Sequence, residues 1–115
     1  MYTHAQRVDD PDVQALRKAA GLLLKALREK SGLSQREMAA KVDVDFYTFI
    51  SLTEHGRSRV PPDKIEVWAK TLGVDPRVFT RAMMRYYDPV TYRLLFDGVS
   101  NNEDDEKALL AEQFA

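Results

Sequence analysis

Between Ser31 and Pro62 the chain reads SGLSQREMAAKVDVDFYTFISLTEHGRSRVPP, and its polar side chains are mostly donors and cations. Ser34, Gln35, Arg36, Lys41, Tyr47, Thr48, Ser51, His55, Arg57 and Arg59 offer hydroxyl, amide, imidazole, ammonium and guanidinium groups within one short stretch. Such groups grip anions, because charge-assisted bonds to phosphate or carboxylate oxygens are short and strong. They do not assemble into a reaction centre. The chain contains no glycine-rich phosphate loop and no Ser/His/Asp arrangement, and its two histidines, His4 and His55, stand far apart. It has no cysteine, which excludes disulfides, thiolate metal sites and a cysteine nucleophile. The expectation is a binding protein, not an enzyme, with no cofactor and no metal.

Net charge supports an anionic partner. The chain of 115 residues balances to −1, but residues 14–86 carry 14 Lys/Arg against 8 Asp/Glu while residues 87–115 carry 2 against 7. A basic body beside an acidic tail concentrates positive potential on one part of the molecule. The start, MYTHAQRVDDPD, is polar and acidic, unlike a secretory leader. The most apolar run, AAGLLLKAL, is interrupted by Lys25 and falls well short of the ~20 apolar residues of a membrane span. A cytoplasmic protein without membrane contact is expected.

The elements that must position these groups are helices. After a flexible arm over 1–11, Leu16, Ala20, Leu23, Leu24 and Leu27 recur at spacings of three and four, one apolar stripe with Lys18, Lys25, Arg28 and Lys30 mostly off it, and Gly32 ends that helix. Ser34-Gln-Arg-Glu37 is a capping box that opens a second helix, with Leu33 and Met38 at the positions of a hydrophobic staple and Ala39 and Val42 facing inward. Asp45 is the expected N-cap of a third helix that runs to His55, with Gly56 after it and Phe49, Ile50, Leu52 and Thr53 as inward candidates. Pro61-Pro62-Asp63, Asp75-Pro76 and Asp88-Pro89 start three more helices, whose apolar faces are Ile65, Trp68, Ala69 and Leu72; then Phe79, Ala82, Met83 and Tyr86; then Tyr92, Leu95 and Phe96. The fold class expected is all-α.

Two short helices joined by a tight turn and closed by a glycine and a basic loop are the layout of a helix-turn-helix. Residues 16–79 resemble the Cro/cI-type (XRE) family, on LRKAAGLLLKALREKSGLSQREMAAKV, then ISLTEHG, then a basic segment with prolines, then a helix ending in LGV. The resemblance implies a lambda-repressor-like five-helix DNA-binding domain over 12–79, followed by a C-terminal helical extension. The chain departs from the pattern by one extra residue between Gln35 and the glycine. Either the turn after Val42 is longer, or His55 takes the glycine's place; the longer turn keeps Ile50, Ser51, Glu54 and Gly56 in the family's I-S-x-x-E-x-G spacing. Asp43 also stands where the family has glycine.

The resemblance implies double-stranded DNA as partner, with the helix over 45–55 in the major groove. Tyr47, Thr48, Ser51 and Leu52 are the candidate readers, and Phe46 is assigned to packing. Ser34, Gln35, Arg36, Lys41, His55, Arg57 and Arg59 are the candidate backbone contacts, and Glu54 is read as the structural partner of an arginine. This helix has no Arg, Asn or Gln for bidentate base pairing, so readout is expected to lean on shape, van der Waals contact and water.

The aromatic-rich stretch 80–98 is surplus if the DNA-binding core closes by about Leu72. Phe79, Met83, Tyr86, Tyr87, Tyr92, Leu95 and Phe96 are therefore the expected dimer interface, since Tyr, Phe and Met enrich protein contacts; folding back onto the protomer's own core is the alternative. The expected function is a homodimeric repressor or autoregulator. The competing reading is an antitoxin or interaction module whose C-terminal segment binds a protein partner. Residues 99–115 form an acidic tail.

Overall fold

The computed structural model describes residues 11–96, and these are all-helical: α1 (Pro11–Lys30), α2 (Gln35–Lys41), α3 (Thr48–Glu54), a single 3-10 turn (Pro62–Lys64), α4 (Ile65–Thr71), α5 (Pro76–Tyr87) and α6 (Pro89–Phe96). The expected arm before Pro11, the helix end near Gly98 and the acidic tail lie outside the described residues.

Local chemistry sets most boundaries. Ser34 Oγ accepts from the Glu37 N–H at 3.0 Å and the Ser34 N–H donates to Glu37 Oε1 at 2.8 Å, so the capping box is complete. That hydrogen bond from the Ser34 backbone holds the Glu37 carboxyl below its ordinary range. Asp75 Oδ1 accepts from the N–H groups of Arg77 and Val78 at the start of α5. Helices α1 to α4 all end the same way. The N–H two residues past the C-cap returns to the carbonyl three residues inside it: Leu33 to Arg28, Val44 to Ala39, Arg57 to Leu52 and Val74 to Ala69, at 2.9–3.2 Å. This closure needs a left-handed residue in between. Three of the four are glycine, whereas α2 uses Asp43 at φ 58°, a conformation that costs a non-glycine residue about 1 kcal/mol or more.

The start of the third helix differs from expectation. The third helix begins at Thr48 and not at Asp45; its N-cap is Tyr47, which makes no side-chain cap. The first turn is wound by Phe49 N–H to Phe46 carbonyl and Ile50 N–H to Tyr47 carbonyl, both at 3.0 Å, an i to i+3 pattern that tightens a helix end. The linker after α2 is therefore long, Val42 to Tyr47. Gly56, and not His55, holds the positive-φ position after α3, so the chain keeps its I-S-x-x-E-x-G register.

The core is Ala20, Leu23, Leu24 and Leu27 of α1, Met38 and Ala39 of α2, Ile50 of α3, Trp68 and Ala69 of α4, Phe79, Ala82, Met83 and Tyr87 of α5, with Val42, Val60, Leu72 and Val74 between them. It does not close at Leu72. Helix α5 packs on both α1 and α4, so the expected boundary after residue 79 falls inside a continuous core helix. This corrects the interface expected at Phe79, Met83 and Tyr87: all three are almost wholly buried within the protomer, because α5 supplies the third wall that α1 and α4 need. Tyr86 packs half-buried against the same core. Helix α6 touches α5 alone among the main helix contacts and contributes no fully buried residue.

Helix α1 crosses the end of α3 at a close approach. A Cβ on Gly21 would collide with the Glu54 carbonyl oxygen and stand 2.6 Å from its carbon. Only glycine allows two backbones to meet there.

Candidate nucleic-acid interface

The angle between α2 and α3 is held by a buried polar network. Arg28, expected on the solvated side of α1, is 8% exposed. Its Nε donates to Glu54 Oε2 at 2.6 Å, its Nη2 to Glu54 Oε1 at 3.1 Å and its Nη1 to the Leu33 carbonyl at 2.7 Å. The hydrogen bond to Glu54 raises the Arg28 pKa further, against the cost of burial. Gln35 Nε2 donates to the same Glu54 Oε1 at 3.1 Å. One carboxylate thus joins the end of α1, the first turn of α2 and the last turn of α3. Glu54 has the structural role expected of it. Gln35 sits at the first turn of α2, but its amide is turned inward to Glu54.

The outward side of α3 is apolar. Phe46 is 73% exposed, Leu52 40% and Tyr47 39%, and Thr48 is exposed beside them while Ser51 is half-buried. Phe46 is therefore not a packing residue, and Leu52 is not inward. The period of α3 turns Phe49, Ile50 and Thr53 to the core, and the Thr53 hydroxyl donates to the Phe49 carbonyl at 2.8 Å. Phe46, Thr48 and Leu52 line one shallow groove of about 470 Å³ with Val44, Phe49 and Pro61, and Asp43 and Asp45 line it too. Arg36, from the start of α2, lies over the Tyr47 ring at 4.3 Å, a cation–π contact across the turn.

The flanking cations divide into two groups. Arg36 and Arg57 are exposed next to the ends of α2 and α3 that face outward. His55 is exposed at the C-cap of α3, its Nδ1 2.7 Å from the Ser51 carbonyl and 3.4 Å from the Ser51 hydroxyl. Arg59 is different from what the sequence led us to expect. Its Nη1 and Nη2 donate to Asp88 Oδ1 and Oδ2 at 3.3 and 3.0 Å, and its guanidinium lies 4.6 Å over the Tyr87 ring. It ties the basic loop to the end of α5 in place of a free phosphate grip, because Asp88 follows the buried Tyr87. Lys41 is exposed but lines a separate depression with Ser31, Leu33, Lys70 and Thr71, away from the groove on α3.

Phe46, which the sequence reading weighed between packing and the outward face and assigned to packing, is exposed. The helical period gives no signal for it, because Phe46 stands three and four residues before Phe49 and Ile50 and would share their face; it is exposed because α3 begins only at Thr48.

Among the described residues no helix is long and apolar enough to cross a membrane. No curated protein and no solved structure shows significant similarity to the chain. A family model described as a helix-turn-helix domain matches residues 19–83, more than half of the chain, from the first helix into the fifth. Such a domain points to DNA binding and transcription regulation. The chain belongs to the helix-turn-helix domain family.

Proposed function

We propose that this protein is a homodimeric, sequence-specific double-stranded-DNA-binding regulator of the Cro/cI type, a repressor or autoregulator working in the cytoplasm. It binds and carries out no reaction. The observation that supports this best is the outward face of α3. Phe46, Tyr47, Thr48 and Leu52 project from the second helix of the motif, and Arg36 and Arg57 flank it where a duplex lying on α3 presents its phosphates. The dimer contact is assigned to α6 and not to the buried part of α5. Leu94 and Leu95 are 70% and 60% exposed and Val90 is exposed with them, an apolar face on the helix least attached to the core. A two-fold dimer places two copies of α3 about one DNA turn, ~34 Å, apart.

Selection of bound sites from random duplexes, followed by titration at several salt concentrations, tests this reading. Three or four phosphates per protomer correspond to a log K against log salt slope of about −5 to −7. Arg57→Ala should weaken binding to every duplex, whereas Thr48→Ala should weaken the selected site more than random DNA. A flat salt dependence with no enriched sequence would refute it. The same α6 face supports a second reading, an antitoxin or interaction module that covers a partner protein. Leu94→Asp separates the two. Loss of self-association together with weakened DNA binding favours the dimeric regulator, and a chain that is monomeric before and after the change favours the partner.

A further inference from the structure

Resting on the DNA-binding reading above, the geometry points to a narrower chemistry: we infer that α3 reads the C5-methyl groups of pyrimidines, thymine in ordinary DNA, through the groove lined by Phe46, Thr48 and Leu52.

Sequence is readable in the major groove in two ways, by hydrogen bonds to base edges and by apolar contact with the thymine methyl. The outward face of α3 is poor in the first kind. From Phe46 to Glu54 the chain has no Arg, Lys, Asn or Gln, and its one carboxylate, Glu54, is buried against Arg28. The hydroxyls there are few: Thr53 is spent on the Phe49 carbonyl, and Ser51 is half-buried beside His55. What remains on the surface is Phe46, 73% exposed, together with Leu52, Thr48 and Tyr47; the only exposed hydroxyls of this stretch are those of Thr48 and of Tyr47, whose ring lies under Arg36. Thr48 and Leu52 stand four residues apart and so share one helical face. They join Phe46 and Pro61 in one groove.

Charge restricts what enters that groove. Asp43 and Asp45 are among its lining residues and repel phosphates, whereas Arg36 and Arg57 are not among them. A duplex that satisfies both must set its backbones on the arginines and its base edges over the groove. An apolar groove turned to base edges meets one apolar group there, the C5-methyl.

The test uses a duplex obtained by site selection, with thymines replaced singly by uracil, which removes the methyl and keeps the pairing face and O4. Burying one methyl contributes about 0.8 kcal/mol, which is close to fourfold in affinity at 1.4 kcal/mol per factor of ten. At least one thymine in each half-site should show a loss of about fourfold on becoming uracil. That loss should vanish in Leu52→Ala or in Phe46→Ala, two substitutions at exposed positions that leave the helical circular dichroism unchanged. If the selected duplex is preferred over random DNA and every uracil is tolerated within twofold, methyl reading is wrong and DNA binding stands. If uracil costs the variants as much as the parent, the methyls are read elsewhere and the assignment to this groove fails. If no duplex is preferred at all, both readings fall.

Discussion

Tyr87→Phe distinguishes a core tyrosine from an interface tyrosine by deleting one oxygen. The Tyr87 hydroxyl accepts from the Val60 N–H at 3.2 Å, and both residues are almost completely buried. Burial pushes the phenol above its ordinary value, so it stays neutral at any physiological pH. The substitution keeps the ring, and with it the contact to Arg59 on one side and to Arg17 at 6.0 Å. It strands one buried backbone donor, which costs about 1–3 kcal/mol. Part of this is offset because a buried hydroxyl is removed too, so a net loss of about 1–2 kcal/mol is expected. Tyr87→Ala adds a cavity and should lose about 3–5 kcal/mol. Trp68 is the only tryptophan in the sequence and sits in the same core, so its fluorescence follows unfolding in urea without a label. Sedimentation equilibrium on the folded variants then measures self-association. The expected pattern is lower stability for Tyr87→Phe with an unaltered association constant. An unchanged urea midpoint, or a weakened dimer, would show that the hydroxyl serves something other than the protomer core.

Four further substitutions probe the frame of the site. Arg28→Ala leaves the Glu54 carboxylate buried without its cation, and should cost about 3–5 kcal/mol in urea unfolding; a loss below 1 kcal/mol would mean that water reaches Glu54. Gly21→Ala forces the α1 and α3 backbones apart and should cost about 3 kcal/mol, with the DNA-binding affinity of the folded fraction reduced as α3 shifts; wild-type stability would refute the close crossing. Asp43→Gly relieves the left-handed residue after α2 and should stabilise by roughly 0.5–1 kcal/mol, since Lys64 Nζ donates to the Asp43 carbonyl at 2.8 Å and glycine retains that acceptor. Glu37 carries a depressed pKa through its bond to the Ser34 backbone; a depressed carboxyl contributes stability that is present above its unfolded pKa and lost as pH falls through the folded one. Glu37→Gln should therefore remove part of the acid sensitivity below about pH 4.5, the ordinary glutamate value, and an identical stability–pH curve for parent and variant would contradict the capping role.

Much of this protein is determined by chemistry that acts within a few residues, and that part was legible in the sequence. The Ser34 capping box, the Asp75-Pro76 start of α5 and the glycines after α1, α3 and α4 each satisfy or close a helix end locally, so the order of helices and the helix-turn-helix spacing followed from residue types alone. The apolar stripe of α1 was legible for the same reason. The start of α3 was not, because the i to i+3 turn wound from Phe46 prevailed over the carboxylate of Asp45.

What the sequence left open was how equally apolar or equally charged residues divide between inside and outside. Phe79, Met83 and Tyr87 could have faced a partner; they are buried because α5 packs on α1 and α4. Phe46 could have been core; it is outside because the turn delays the start of α3 to Thr48 and leaves Phe46 ahead of the helix. Arg28 and Arg59 have the composition of phosphate grips, and instead one holds Glu54 and the other Asp88, residues 26 and 29 positions away in the chain. Burial and ion pairing at such separations depend on where whole helices meet. The residue types alone established that a basic helix-turn-helix is present, and the packing of α1 against α3 and α5 decided which of its side chains remain to touch anything else.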